Sequence, residues 1–452
     1  MMDDMLDRRT VLKGIGAGGI TLSFAGLASA DGEQRYLVRG STGIERQVRR
    51  RGFSVEHSLA DGSVLVVTGD QEASDDLEGI DDVSIAVPDF EFELEGPELS
   101  ASADVDVGDD DSGSGNGKAK GQDDGSDAET DEDGWPALFD YQWDKRVTAA
   151  DEAHGWASGD GRRLAIIDTG IDHTHQDLGN VNTDASASII DGEIGAHTGD
   201  ASYHGTHVAG ITAATGAVGV IGTAPDAELV SVRVFGEEGG ATFTDILLAM
   251  EYAADVGADA ANMSIGTPPI PPQGNAEQYR GVMEPIAQYV TSQGTLLVGS
   301  AGNSDANLQQ GGFFTLPNSL SGVTSISATG PNDERTFYSN YGTNEIDVGA
   351  PGGGYETLEK SLSEDENAVE WPYPTNLVLS TIPGDSYDWL AGTSMAAPQV
   401  TGTAGLVRDR YPDTTAKQVE KYIKQGADLV SGDSDPDLGA GRLNAKDALD
   451  VE

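Results

Sequence analysis

From Arg162 onward, short apolar runs with strand composition alternate with longer runs of helical pattern. The strand-like runs read RLAIID, ELVSVRVF, DAANMSI, TLLVGSAG, VTSISAT and EIDVGAPG. The helical runs read GTHVAGITAAT, FTDILLAMEYAADV, MEPIAQYVTSQ and APQVTGTAGLVRDRY. This alternation predicts an α/β fold, in which helices cover both faces of a mostly parallel sheet. In such sheets, functional groups gather at the carboxyl ends of the strands.

The charge of the chain is extreme, with 77 acidic residues against 26 basic ones and a formal net charge of -51. Such a charge disfavours nucleic-acid binding. Because the apolar runs predict a core, we expect the acids to coat a folded surface. Only 9 of the 26 basic residues are Lys. This composition is typical of proteins from brine, where salt screens self-repulsion. The chain has no Cys, which excludes disulfides and thiolate catalysis.

Residues 1–30 form a candidate targeting segment. Arg8 and Arg9 precede a weakly apolar, Gly-rich stretch that ends in Ala28-Ser29-Ala30. The stretch is too short to predict a membrane span, and a soluble amphipathic helix is the alternative. The pattern favours a twin-arginine signal peptide. It predicts export of the folded protein by the twin-arginine machinery, an extracellular location and no stable membrane anchor.

Three further segments follow the signal. Residues 31–97 have the strand-like runs RYLVRG, GSVLVVTG and VSIAVPD, which predict a small α/β unit. This unit also contains the basic run RQVRRR, which would form either a solvated helix face or a contact with an acidic neighbour. Residues 98–134 are rich in Asp, Gly and Ser, without apolar periodicity, and predict a disordered acidic linker. Residues 135–452 form the large domain.

Four polar residues stand at predicted strand ends or helix starts: Asp168, His204, Asn303 and Ser394. Each has a structural alternative: a turn cap for Asp168, a metal pair with His207 for His204, a turn for Asn303, and close packing for Ser394. Together they supply the groups that acyl transfer needs. A hydroxyl nucleophile requires a base, the base requires an orienting carboxylate, and the developing oxyanion requires a hydrogen-bond donor.

The segments AIIDTGID, HGTHVAG, SAGN and GTSMAAP resemble the four signature motifs of the subtilases, the subtilisin-like serine peptidases, and they occur in the same order. The resemblance spans about residues 143 to 449. It implies a subtilisin-like three-layer fold with a mostly parallel central sheet, preceded by a small α/β propeptide domain. It also implies a serine endopeptidase that cleaves proteins or peptides through an acyl-enzyme, with no cofactor for catalysis.

The resemblance assigns roles by motif. Asp168 would be the orienting acid, His204 the general base and acid, Ser394 the nucleophile, and Asn303 the oxyanion-hole side chain. His207 matches a position without a catalytic role. Strand addition of an extended substrate would use the two walls of a cleft. The implied substrate-binding residues are Ser264, Ile265 and Gly266 on one wall, Gly239 and Gly240 on the other, and Gly302 beside Asn303.

The resemblance has further implications. Asp177 stands where the family places a calcium carboxylate, so structural calcium is an expectation, although the stretch AATGAVGVIG offers only Thr215 as a side-chain oxygen. The front unit would be an autoprocessed, inhibitor-type propeptide, which RQVRRR would help to dock. The chain resembles halolysin-like enzymes of haloarchaea, and we expect a monomer. The run SDANLQQGGFFTLPNS, whose only charge is Asp305, indicates apolar or broad specificity. A catalytically dead subtilase-fold binding or inhibitory protein is the alternative.

Overall fold

The computed structural model describes most of the chain. The described residues are 33–70, 73–94, 96–102, 134–237, 239–271, 276–310, 312–430 and 434–451. The predicted signal peptide and residues 103–133 of the predicted linker lie outside these ranges. Within them, no helix is both long enough and apolar enough to cross a membrane.

The front unit is built from short strands and two helices. Its elements are β1 (Glu33–Gly40), α1 (Glu45–Arg50), β2 (Ser54–Leu59), β3 (Val64–Asp70), α2 (Ser74–Glu78) and β4 (Val83–Pro88), followed by β5 (Glu91–Glu93) and β6 (Leu99–Ser102). Strands β1 to β4 form one antiparallel sheet in the order β2-β3-β1-β4. The sequence predicted β1, β3 and β4. It missed β2, which follows the basic run.

The large domain carries the remaining elements. Its strands are β7 (Arg163–Asp168), β8 (Ala187–Ile190), β9 (Glu193–Ala196), β10 (Glu228–Arg233), β11 (Gly240–Thr242), β12 (Ala260–Met263), β13 (Leu296–Ser300), β14 (Val323–Thr329), β15 (Val348–Pro351), β16 (Val378–Ile382) and β17 (Ser386–Ala391). Its helices are α3 (Trp143–Val147), α4 (Ala150–Ala153), α5 (His204–Ala213), α6 (Phe243–Asp255), α7 (Ala276–Gln293), α8 (Leu358–Ser361), α9 (Thr393–Arg410) and α10 (Ala416–Gly426).

Eight strands form the central sheet in the order β15-β14-β13-β12-β7-β10-β8-β9. Every neighbouring pair is parallel except the β8–β9 hairpin. Successive side chains of a strand point to opposite faces. Leu164 and Ile166 of β7 therefore join the core under α5 and α9, whereas Ala165 and Ile167 join the core under α6 and α7. This arrangement confirms the predicted three layers and mostly parallel sheet.

The front sheet uses its two faces differently. Tyr36 and Val38 pack with residues of α1 and α2 in the unit's own core. Leu37, between them, belongs to the core that contains α6 and α7 of the large domain. The basic run lies on α1, on the far side of the sheet, so the expected docking role of RQVRRR is wrong. Arg35 and Arg39 instead donate to Asp191 O and Gly281 O of the large domain.

The acidic linker begins later in the structure than the sequence predicted. Residues 99–102 form β6, which pairs antiparallel with β17 in a three-stranded sheet with β16. Leu99 is buried in the core of the large domain. The polar composition of residues 98–134 did not predict this strand. Its partner, the edge of β17, lies almost 300 residues later in the sequence.

Candidate active site

The four candidate residues meet at one edge of the sheet. Asp168 is the last residue of β7, and Asn303 follows β13 by three residues. Only β12 separates these two parallel strands, so their carboxyl ends lie at the same edge. His204 begins α5, and Ser394 is the second residue of α9. Helices α5 and α9 pack against each other on one face, which brings their N-termini to that edge.

His204 and Asp168 form a buried pair. The distance between His204 Nδ1 and Asp168 Oδ1 is 2.7 Å, and the Asp168 side chain is 0% exposed. Thr169 N also donates to Oδ1, at 2.7 Å. Burial by itself lowers the pKa of His204, but the attraction and hydrogen bond of Asp168, with the charge of Asp200, outweigh it and raise the pKa above its usual value. The carboxylate therefore favours the imidazolium form.

Ser394 is only 8% exposed. Its hydroxyl donates to Ser264 O at 3.2 Å, and Ser264 Oγ donates to Ser394 O at 2.8 Å. The hydrogen bonds of the described residues include none between Ser394 Oγ and His204. Catalytic hydrogen bonds in free enzymes are often long or misaligned, and they tighten when the substrate is in place.

Asn303 is held so that its amide nitrogen remains available. Its Oδ1 accepts from Thr393 N at 3.0 Å and from Thr393 Oγ1 at 2.7 Å. Thr393 Oγ1 also accepts from Gly302 N. Because the oxygen is engaged, Nδ2 is the group left to donate to an oxyanion. Sequence reasoning missed Thr393; its place between Gly392 and Ser394 in GTSMAAP was the signal.

Asp200 anchors the start of α5, which carries His204. Its Oδ2 accepts from Thr206 N and Oγ1, at 3.0 and 2.5 Å, and its Oδ1 accepts from Thr169 Oγ1 at 2.7 Å. Thr169 Oγ1 in turn accepts from Gly205 N. A carboxylate at a helix N-terminus is favoured by the helix dipole. Sequence reasoning missed this network as well, although Asp200 stands only four residues before His204.

The alternative of a metal pair between His204 and His207 does not fit the geometry. His207 is fully buried, its Nε2 lies 3.0 Å from Asp388 O, and burial lowers its pKa to about 3. It therefore stays neutral and serves a structural role. No cluster of three His, Asp or Glu side chains suited to a metal ion occurs among the residues that the structure describes.

The two expected walls line the cleft, and the front unit's own chain runs between them. Strand β5 pairs antiparallel with β11, with Glu93 opposite Gly240. Leu94 borders a cavity of about 310 Å³ that is also lined by Gly239 and His204. Leu94 also borders a second cavity of about 20 Å³. The other residues around this second cavity include Ser264, Ile265, Gly266, Gly302, Asn303 and Ser394.

The expectation of calcium at Asp177 does not fit the residues around it. Asp177 Oδ1 accepts from Val218 N at 2.6 Å. Its Oδ2 accepts from Gly219 N, Val220 N and Tyr387 Oη, at 2.9, 3.1 and 2.7 Å. Calcium needs six to eight oxygen ligands, whereas this carboxylate is surrounded by hydrogen-bond donors. The loop that follows α5 satisfies Asp177 with backbone amides in place of a cation.

Comparison with known proteins decides the family. The model of the subtilase family of peptidases matches residues 159–442. Subtilisin Savinase of Lederbergia lenta is 34% identical over 304 residues, which cover 67% of this chain and 96% of that protein. The chain belongs to the subtilase family. An alkaline protease of Alkalihalobacillus alcalophilus is also 34% identical, over 69% of this chain and 74% of its own length.

Solved structures agree with the fold of this subtilase. The epidermin leader peptide processing serine protease of Staphylococcus aureus covers 93% of this chain and 98% of its own, with a TM-score of 0.71 and 21% identity. A lanthipeptide protease has a TM-score of 0.58 and 29% identity over 70% of this chain and 96% of its own. These structures confirm the predicted subtilisin-like fold, and the family match with the curated relatives confirms the predicted serine endopeptidase activity.

Proposed function

We propose that this subtilase hydrolyses peptide bonds with Ser394 as nucleophile, His204 as general base and acid, and Asp168 as the orienting carboxylate. The observation that carries the proposal is the buried hydrogen bond between His204 and Asp168, at the edge where Ser394 and Asn303 meet it. A carboxylate on Nδ1 leaves Nε2 as the nitrogen that faces the nucleophile.

In the proposed reaction, Ser394 Oγ attacks the substrate carbonyl carbon while His204 takes the hydroxyl proton. The oxyanion receives hydrogen bonds from Asn303 Nδ2 and the backbone N–H of Ser394. The C–N bond then breaks as His204 protonates the leaving amine, which leaves an acyl-enzyme on Ser394. Water, deprotonated by His204, attacks the ester carbonyl. The C–O bond to Ser394 then breaks, the acid product leaves, and His204 returns the proton to Ser394 Oγ.

Ser394→Ala tests the assignment, with Ser292→Ala as a matched control at an exposed serine on α7. We expect casein hydrolysis and labelling by a serine-directed phosphonate to be lost in Ser394→Ala and retained in Ser292→Ala. The competing function, a catalytically dead binding or inhibitory protein, predicts no labelling of the wild type. Hydrolysis that survives in Ser394→Ala would refute the assigned nucleophile.

We propose that the front unit is a propeptide removed by the enzyme itself, at a bond between Leu94 and Pro97. Its chain is paired with β11 before this segment and with β17 after it. Leu94 borders cavities that contain both His204 and Ser394. The same strand pairing on either side of the scissile bond would hold an extended protein substrate.

Mass spectrometry of the purified protein tests self-processing. The wild type should yield an N-terminus within residues 95–97, and Ser394→Ala should keep the front unit attached. A cut in residues 103–133 that is independent of Ser394 would place maturation elsewhere. Because β6 follows the proposed bond, we expect it to remain on the large domain after the cut.

We also propose that the enzyme is exported through a twin-arginine signal in residues 1–30 as a salt-adapted monomer. The paired Arg8 and Arg9 support the export route, and the net charge of -51 supports salt dependence. Replacing both arginines with Lys should retain the protein inside the cell. Unfolding followed by circular dichroism should occur at a lower temperature in dilute buffer than in molar KCl. An unchanged midpoint would refute the salt adaptation.

A further inference from the structure

Two histidines that the proposed chemistry does not use come together near the surface. His173 lies in the loop after β7, and His197 directly follows β9. His173 is exposed and His197 is half-buried. His197 Nε2 and His173 Nδ1 are 3.4 Å apart. The two ring centres are 5.2 Å apart, and the ring planes are inclined at 73°.

The spacing of these rings matches two imidazoles on one metal ion. Two nitrogens that are each about 2.05 Å from a tetrahedral zinc lie about 3.3 Å apart. Because each nitrogen is about 1.15 Å from its ring centre, the ring centres around such an ion would be about 5.3 Å apart. Rings whose nitrogens pointed straight at each other would have centres about 5.7 Å apart at the same nitrogen spacing. The observed nitrogens therefore converge on a point beside the line that joins them.

Both nitrogens are available to a metal. His197 Nδ1 is buried and has no hydrogen-bond partner among the described residues, so Nε2 is the nitrogen that an external ligand can reach. Burial, the neighbouring His173 and the charge of Arg233 lower the pKa of His197. Its ring is therefore neutral near pH 7, which is the form that binds metals. Arg233 itself is paired with Glu237, at 2.8 Å.

The two chain segments that carry the histidines are already held against each other. Ala201 N donates to Thr169 O at 2.9 Å, and Asp200 Oδ1 accepts from Thr169 Oγ1 at 2.7 Å. A Cβ on Gly170 would lie only 2.0 Å from Gly199 O, so the two backbones touch at this point. Because the backbone is fixed on both sides, an ion would not have to order a loop in order to bind.

We propose that His173 and His197 form a binding site for one divalent transition-metal ion such as Zn²⁺, with His173 Nδ1 and His197 Nε2 as the protein ligands. No third His, Asp or Glu of the described residues completes a cluster, so water fills the remaining positions. Imidazole suits zinc, copper and nickel, whereas calcium and magnesium prefer oxygen ligands. The ion joins the loop after β7 to the segment before α5 and thereby stabilises the folded domain.

The test is isothermal titration calorimetry with ZnCl₂ at pH 7.5 in molar KCl, with excess CaCl₂ to occupy surface carboxylates. It uses the full chain with Ser394→Ala, which removes the proposed nucleophile and so limits self-digestion. We expect one zinc ion per chain. His173→Gln and His197→Gln should each weaken its binding by at least about ten-fold, because even the outer-shell partners of a metal contribute that much. The matched control, His57→Gln at a half-buried histidine of β2, should leave the affinity unchanged.

Unfolding followed by circular dichroism gives a second readout. Zinc should raise the midpoint of the Ser394→Ala chain and of its His57→Gln variant, and it should not raise the midpoint when His173→Gln and His197→Gln are combined. A merely structural role of the two rings would change the midpoint equally with and without zinc. The proposal is overturned if the combined variant binds zinc as tightly as its parent, or if only one of the two histidines affects the affinity.

Discussion

Asp89 connects the front unit to the large domain in a way that should make their association depend on pH. Its carboxylate is fully buried and accepts from Thr244 Oγ1 at 2.6 Å and from Thr244 N at 3.3 Å, in the first turn of α6. Arg35 Nη1 lies 3.8 Å away. Burial raises the pKa of Asp89 from 3.8 to about 7, against the smaller opposing effects of Thr244 and Arg35.

The direction of this pH dependence follows from the thermodynamic linkage between protonation of Asp89 and docking of the front unit. Because the pKa is higher in the docked state, docking is favoured when Asp89 is protonated, and this contribution is lost as the pH rises from about 4 through about 7. A rise of about three units corresponds to about 4 kcal/mol. The N-terminus of α6 stabilises the anion by about 1 kcal/mol. The difference, about 3 kcal/mol, is the cost of docking with Asp89 ionised. It weakens binding of the front unit at high pH by about 100-fold.

The perturbation is Asp89→Asn, which stays neutral and can still accept from Thr244. The assay is the inhibition constant of the separately produced front unit, residues 31–94, against the mature enzyme between pH 4 and pH 8 at constant salt. The variant should bind about 100-fold more tightly than the wild type at the top of this range and about equally at the bottom. Asp245 and Glu251, whose pKa values are also raised by burial, give both proteins a residual pH dependence.

A variant that binds no more tightly than the wild type at pH 8 would refute this reasoning. It would mean that the first turn of α6 and Arg35 stabilise the carboxylate fully, and that Asp89 is ionised in the docked state. An equal pH slope in both proteins would lead to the same conclusion.

Three further predictions concern the cleft and its support. Thr393→Val should free the amide of Asn303 to rotate, and this should lower kcat by at least about ten-fold with little change in KM. In the same kinetic assay, Asn303→Ala should lower kcat by about 10² to 10³. Because the pKa of His204 is raised and its neutral form is the base, kcat/KM should rise with pH through a value above 6.5. Asp168→Asn should move that rise to lower pH and lower the rate by about 10⁴, and an unmoved profile would contradict the pairing. Tyr387→Phe should destabilise the protein by about 1.5 to 3 kcal/mol, because it removes a donor to the buried Asp177. Calorimetry should give the same difference in stability between Tyr387→Phe and the wild type with and without a calcium chelator. A difference that depends on the chelator would indicate a cation bound at Asp177.

Sequence periodicity predicted the layers of the large domain well. The run VTSISAT coincides with β14, and FTDILLAMEYAADV extends one residue beyond α6. Within each of these elements, the spacing of the apolar residues along the chain indicates which face is buried. Strand β2 was missed because it follows a basic run, and β6 because it has only four residues, two of them Ser, at the start of a polar segment. Both strands owe their existence to a neighbouring edge.

The sequence by itself determined the four residues of the proposed chemistry, because each ends or closely follows a strand, or begins a helix, in a recognisable pattern. The tertiary structure alone decided what surrounds them. Thr393 fixes Asn303, Asp200 holds the start of α5, and Tyr387 meets Asp177 across 210 positions. Thr393 and Asp200 stand near two of the motifs in the sequence, but the partners of their hydrogen bonds are decided only in the folded domain. Tyr387 and Asp177 are brought together by the fold alone, so a one-dimensional pattern contains no signal for that contact.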